Sequence, residues 1–476
     1  MPRSFRSILL IALLALLGGV GVRLAQGRWN RSSGAPLQFL LELDERMELD
    51  TGLGLGVLLR DYLEVLGGCS VVEVLPPSLP SEGLPALRLR GRREGGQLVL
   101  EGTFRNSRGK VRGLHLQGEP REVLADLMPL LGFGGMDAGR LIPSSKEDGW
   151  VLLDVLALSS ELDLSAKAQR ATDLLHRNPT CVSAHLALAE VVRRRLNASS
   201  DAEPDFQDQC RTLFEGALAL EPNHPRAAHE FAYYLTDSGD QRAALALLFK
   251  TLEVRPRLAT LWGALAYPAR TGGLLAAAHS ALDTRDRLQG RSQTESNFAD
   301  NAYLYAGDWE RFERSLGTGE GLLPDGLMDF YRGYVRLIRG DTSNALRRFQ
   351  RARSARSNSL LFGRLATVYQ LGLEDRKAEA LVELDAFRDQ RRRLRVPDGE
   401  FTFKLAEAYG FLGQQEQALL MAERAFDQGF SCTAWYQKSP LLGGMRQGPR
   451  WQALLQHVRE RQALLEFHFP ESKFRP

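Results

Sequence analysis

The chain predicts a mainly α fold: an α-solenoid of helical hairpins, preceded by a small β-α-β-β-β-α domain and an N-terminal hydrophobic helix. Three observations predict it. Six glycines, Gly239, Gly273, Gly307, Gly340, Gly372 and Gly413, follow one another at spacings of 34, 34, 33, 32 and 41 by subtraction of residue numbers. A period near 34 residues is the length of one helix–turn–helix unit, and glycine suits the left-handed residue at a helix end. Five residues after four of these glycines stands an alanine, Ala244, Ala278, Ala345 or Ala418, small enough for the two helices of a hairpin to approach closely. Pro222, Pro256 and Pro324 keep the same period and close units, because proline cannot continue a helix.

Taken in chain order, residues 1–33 form a membrane signal. Arg3 and Arg6 precede an apolar and glycine run, Ile8–Val22, and Arg23, Arg28 and Arg31 follow it. Fifteen helical residues span about 22 Å, short of the ~30 Å hydrocarbon core. The run reads as an uncleaved signal anchor, with a cleaved signal as the alternative through Gly19 and Gly21. A short basic N-terminus that stays inside places the bulk of the chain outside the cytoplasm.

Residues 34–131 form the small α/β domain. Leu37–Leu43 and the valine-rich Ser70–Leu75 read as strands, with a helical pattern over Leu53–Val65 between them. Leu87–Arg93, Leu98–Arg105 and Val111–Gln117 alternate apolar and polar residues, the period of half-buried strands. Glu94-Gly95-Gly96 and Asn106–Gly109 are the turns between them, and Pro120–Leu131 closes the unit as a helix. This order, with Leu98-Val99-Leu100-Glu101-Gly102 leading into a strand, resembles the amino-terminal domain of TolB, which in many bacterial proteins precedes helical repeats. A glycine-rich linker occupies 132–145.

The repeat array covers Lys146–Gln428 in seven or eight units, with Trp262, Tyr303 and Tyr409 at anchor positions on first helices. Its clearest unit runs from Leu405-Ala406-Glu407-Ala408-Tyr409-Gly410 through Gly413 to Ala418-Leu419 and Ala425; the unit at His224–Pro256 is nearly as regular. These residues resemble tetratricopeptide repeats (TPRs), with a bulky residue early, small residues in both helices and a closing proline. Phe312 departs from that pattern, the polar loop Asn197–Pro204 stretches one unit, and Arg388–Asp398 interrupts the last spacing. Residues 429–476 form a C-terminal cap. A helix over Trp451–Glu466 places Leu454, Leu455, Val458 and Leu464 on one face, and a repeat array needs such a closing face.

Motifs for catalysis are sparse. The eight histidines are scattered, and His224 and His229 sit about 140° apart on a helix, which is no metal-ligand spacing. Gly52-Leu53-Gly54-Leu55-Gly56 lacks the lysine of a phosphate loop and reads as a helix start. Cys181 and Cys210 fall on adjacent helices, where buried free thiols are expected over a bridge. The net charge of +3 supplies no field for nucleic acid, and the run Arg388, Arg391, Arg392, Arg393, Arg395 lacks interleaved aromatics.

The remaining candidate is the concave groove. Matching to the repeat family by phase, groove positions hold Arg226, His229, Tyr233, Thr236, Thr260, Tyr267, Arg270, Asn297 and Asn301. Tyrosine, arginine and asparagine suit capture of a peptide through rigid aromatic surface and hydrogen-bond donors. The resemblance therefore implies a non-enzymatic scaffold that needs no cofactor or metal. It would sit at a bacterial inner membrane through Ile8–Val22, bulk periplasmic, and bind a segment of a partner protein. The alternative is a sensory or regulatory module whose ligand or signalling partner docks on the α/β domain.

Overall fold

The computed structural model describes residues 37–43, 54–56, 59, 71–73, 85–106, 109–131, 158, 164–177, 179–198, 206–256, 258–288, 301–316, 325–354, 360–392, 394, 396 and 398–475. The apolar run Ile8–Val22, the 132–145 linker, Asn297 and Pro324 lie outside them.

Strands β1 (Leu37–Leu43), β2 (Val71–Glu73), β3 (Ala86–Glu94), β4 (Gln97–Arg105) and β5 (Val111–Gly118) form one sheet in the order β2-β1-β3-β4-β5. Strand β1 is parallel to both neighbours, and β3, β4 and β5 form an antiparallel meander. The Gly95-Gly96 loop has φ of 57° and 82° at its two residues, the geometry a two-residue hairpin requires. The expected alternation holds: Leu87 and Leu89 are buried and Arg88 and Arg90 exposed. Helix α1 (Pro120–Leu130) buries Val123, Leu124 and Leu127. Of the helix expected over Leu53–Val65, residues 54–56 and 59 are described, and they are helical.

The rest is helical. After α2 (Leu164–Arg177), seven pairs follow among the described residues. They are α3 (Val182–Ala198) with α4 (Phe206–Leu220), α5 (Pro225–Asp237) with α6 (Gln241–Val254), and α7 (Ala259–Thr271) with α8 (Leu275–Leu288). Next come the short pair α9 (Asn301–Ala306) and α10 (Trp309–Ser315), then α11 (Asp325–Ile338) with α12 (Thr342–Ser354). Last are α13 (Leu360–Leu373) with α14 (Lys377–Arg392), and α15 (Gly399–Phe411) with α16 (Gln415–Asp427). Consecutive packing of this kind is compatible with a helical-repeat solenoid.

The glycine clock has a local cause and needs one correction. Gly239 has φ 91°, its N–H donates to Thr236 O, and the next N–H, of Asp240, donates to Leu235 O at 2.8 Å. That pair of bonds satisfies carbonyls left over at the helix end. Gly273, Gly307, Gly340 and Gly413 repeat the positive φ, but Gly372 does not. It lies inside α13, where an added Cβ would meet Phe411 Cε1 at 2.4 Å, so it is there for close packing. The left-handed residue of that unit is Asp375, φ 61°, followed by Arg376 N–H donating to Leu371 O at 2.9 Å. With Asp375 in place the last two spacings become 35 and 38, and Ala380 falls five residues on, fully buried like Ala244, Ala278, Ala345 and Ala418. Phe312 occupies the same point in the short pair, also fully buried.

The C-terminal segment bridges distant pairs. Helix α17 (Thr433–Lys438) packs Trp435 against Tyr305, ring centroids 5.1 Å apart, and a 3-10 turn at Pro440–Met445 leads to α18 (Pro449–His468). Helix α18 buries Trp451, Leu454, Leu455, Val458 and Leu465. Leu464 is exposed, a correction to the expected face: the true stripe lies one residue later, where Leu465 meets Gly272. Beyond it Phe469 and Phe474 pack on Phe249 of α6 at 5.8 and 5.0 Å between ring centroids. Ser431 N–H donates to Thr271 O at 2.8 Å, and Asp398 N–H approaches Asp237 O at 3.4 Å. The last pair and the tail therefore dock onto α5, α6 and α7, more than a hundred residues upstream.

No helix among the described residues is long and apolar enough to cross a membrane.

Candidate partner-binding site

Helix α5 begins at a cap built from His224: Ala227 N–H donates to its Nδ1 at 3.1 Å, and Pro225 opens the helix. A ring nitrogen that accepts must be unprotonated. Burial, with Arg226 and Arg255 nearby, pushes the imidazole down to about 3. From that cap, Arg226, His229 and Tyr233 recur at i, i+3 and i+7, which puts them on one helix face.

These residues join with the next helix into a ladder. The His229 and Tyr233 rings are 4.8 Å apart, Tyr233 and Tyr267 are 5.2 Å apart, and the Arg270 guanidinium lies 4.6 Å from the Tyr267 ring centre. Tyr267 O–H donates to Asp237 Oδ1 at 2.6 Å. Arg270 donates from Nε and Nη2 to the two oxygens of Glu400 at 3.2 and 2.9 Å, a bidentate pair across 130 residues of sequence. Asn301 Nδ2 donates to Glu400 Oε1 at 2.8 Å and to Tyr331 OH at 3.1 Å, and Tyr305 O–H donates to the same carboxylate oxygen at 2.5 Å.

The candidates thus divide. Tyr267 and Asn301 are buried and Arg270 is half-buried, all three bound by the chain's own groups, and Thr236 is buried with its hydroxyl donating to Ala232 O. Arg226, His229, Tyr233 and Thr260 are half-buried. Arg226 lies near Glu190 and Glu230 and helps hold both carboxyls low. Burial alone would raise Glu230, but His229, Arg193 and Arg226 bring it to about 2. Arg193 Nη2 reaches Glu230 at 3.4 Å.

Helix α15 supplies what the sequence reading missed. Glu400, Lys404 and Glu407 form a stripe at i, i+4 and i+7 on a helix whose other buried residues are mostly apolar. Burial would raise the Glu400 carboxyl, but Arg270, Lys404 and Tyr305 hold it down to about 2. Lys404 Nζ sits 4.9 Å from the Tyr334 ring centre and 5.3 Å from that of Tyr331, and burial lowers its pKa. Glu407 Oε1 accepts from Ser439 Oγ at 2.6 Å, and burial raises its carboxyl. Three charges on an otherwise apolar helix were the available signal.

Asp398 caps α15, accepting from Phe401 N–H at 3.2 Å from a backbone with φ 56°. Burial and the neighbouring Asp237 and Glu400 carboxylates push its carboxyl up to about 7, against the pull of Arg391. Within the basic run Arg391 is buried, with its guanidinium 4.3 Å from the Phe401 ring centre.

Among the described residues no group of three or more His, Cys, Asp or Glu is disposed to hold a metal. Cys181, Cys210 and Cys432 are buried free thiols, so Cys181 and Cys210 are not bridged. The residues gathered here form a row of closely spaced, tilted rings with the Arg270 guanidinium at its end. No protein-family model matches the chain, and no curated protein matches it.

Proposed function

We propose that this chain is a non-enzymatic scaffold of tetratricopeptide type. Its first helices bind a segment of a partner protein, its N-terminal unit is of the TolB amino-terminal type, and Ile8–Val22 holds it at a bacterial inner membrane with the repeats outside the cytoplasm. The observation that supports the reading is the ladder His229–Tyr233–Tyr267–Arg270. Its inner rungs are locked by Asp237 and Glu400, so its outer rungs stand on a rigid base. A platform ordered before binding spares the complex much of the cost of immobilising side chains. Aromatic and arginine side chains are also the residue types that dominate interface energetics.

In this reading Arg226, His229 and Tyr233 touch the partner, while Tyr267, Arg270 and Asn301 position them. The test is in-cell crosslinking and capture with the full-length chain beside a Tyr233→Ala variant of unchanged melting temperature. Loss of specific captured proteins in the variant supports the groove. Unchanged capture moves the binding surface to the α/β domain or the cap.

A further inference from the structure

The place where α15 docks onto α5 and α7 brings the buried Asp237 and Glu400 together with the half-buried Asp398 at one seam. Their partners are unequally shared. Glu400 takes the bidentate Arg270 with Asn301 and Tyr305, and Asp237 takes the Tyr267 hydroxyl. Asp398 accepts the N–H of Phe401, and Arg391, whose charge pulls on it, lies over the Phe401 ring. The backbone there is a left-handed hinge, φ 56°, and its N–H points at the Asp237 carbonyl.

We propose that this seam is a proton-dependent clasp. While the Asp398 carboxyl is neutral, the last helix pair stays docked on α5 and α7; when it loses its proton, repulsion from Asp237 and Glu400 loosens the docking and uncovers Tyr267, Arg270 and Asn301. The consequence for binding rests on the partner-scaffold reading; the clasp itself does not.

The charged and titratable groups facing Asp398 set the sign. Helix α5 brings Asp237, α7 brings Tyr267 and Arg270, α14 brings Arg391, α15 brings Glu400 and Lys404, and α16 brings Arg424 beside Arg391. Glu400 is held at about 2 and stays ionised across the neutral range. Asp398 is the group raised into it, to about 7. A carboxyl that holds its proton more tightly when folded stabilises most below its unfolded value; that stability falls as pH rises through the folded value. The clasp is therefore tight near pH 5 and weakened near pH 8.

Asp398→Asn isolates the effect, because asparagine caps helices and tolerates a left-handed backbone as aspartate does. The readout is amide hydrogen exchange at Ser431, whose N–H crosses the seam to Thr271 O. Full-length wild type and variant are compared at the same pH, so intrinsic exchange cancels. At about pH 8 Ser431 should exchange about a hundredfold or more faster in wild type than in Asp398→Asn, and at about pH 5 that ratio should shrink at least tenfold. Asp237→Asn should also slow exchange at about pH 8, and it decides the matter if Asp398→Asn fails to fold. An equal ratio at both pH values overturns the clasp. If the exchange result holds and Tyr233→Ala leaves capture unchanged, the clasp stands and the partner reading falls; the reverse pattern removes the clasp alone.

Discussion

Helices α5 and α15 both begin a repeat pair and both turn polar side chains inward, but to opposite ends. On α5, Arg226, His229 and Tyr233 are half-open, with neighbours contributed by adjacent pairs. On α15, Glu400, Lys404 and Glu407 are sealed among α7, α9, α11 and the tail. On α5 these side chains stay half-open, and on α15 they are enclosed where the chain meets residues far away in sequence. Inward-facing polarity on a repeat helix is therefore not by itself evidence of a ligand.

The largest effect should come from breaking the brace. Glu400→Met leaves Arg270, Asn301 and Tyr305 buried around a lost acceptor, and breaking a buried pair from one side costs about 3–5 kcal/mol. Chemical denaturation of the full chain measures it. His229→Ala, on the open face, is the contrast and should cost well under half as much.

A pair of glycines sharpens the same comparison. Gly239→Ala puts a Cβ at a left-handed residue and 3.0 Å from Gln428 O across the seam. Gly413→Ala has the same backbone strain with nothing within 4 Å. Melting should therefore show Gly413→Ala losing about 1 kcal/mol and Gly239→Ala clearly more. Equal losses would mean that the seam is open in solution.

The smallest expected effect lies away from both faces. Asp375→Gly relieves a non-glycine left-handed residue, and stability should rise by up to about 1 kcal/mol. The gain is absent if the aspartate makes up the strain by solvent contacts.

Asp375 also shows how much of the fold was legible. Counting glycines found the period because five of six helix ends use one; it misplaced the end at Gly372 because aspartate can take the same backbone. The alanine five residues on would have corrected it, since Ala380 is in phase with Asp375 and nothing small follows Gly372 at that distance. Strands were placed to within a residue or two because alternation is a local signal: Leu87–Arg93 became Ala86–Glu94. Leu464 was preferred to Leu465 because the partner of that face, Gly272 at the end of α7, is far away in sequence. The groove residues could be named by phase, but their fate could not. Whether Arg270 meets solvent or Glu400 depends on how helix pairs 130 residues apart come together, which no local pattern encodes.

The central claim is that the chain closes on itself through Arg270 and Glu400. A double-mutant cycle on Arg270→Met, Glu400→Met and the double variant, by equilibrium denaturation of the full chain, tests it most directly. The account predicts strong coupling, about 2 kcal/mol or more, with the double variant less damaged than the sum of the singles, since it leaves no buried charge unpaired. Additive losses would contradict it: the two side chains would not meet, and the groove would be open along its whole length.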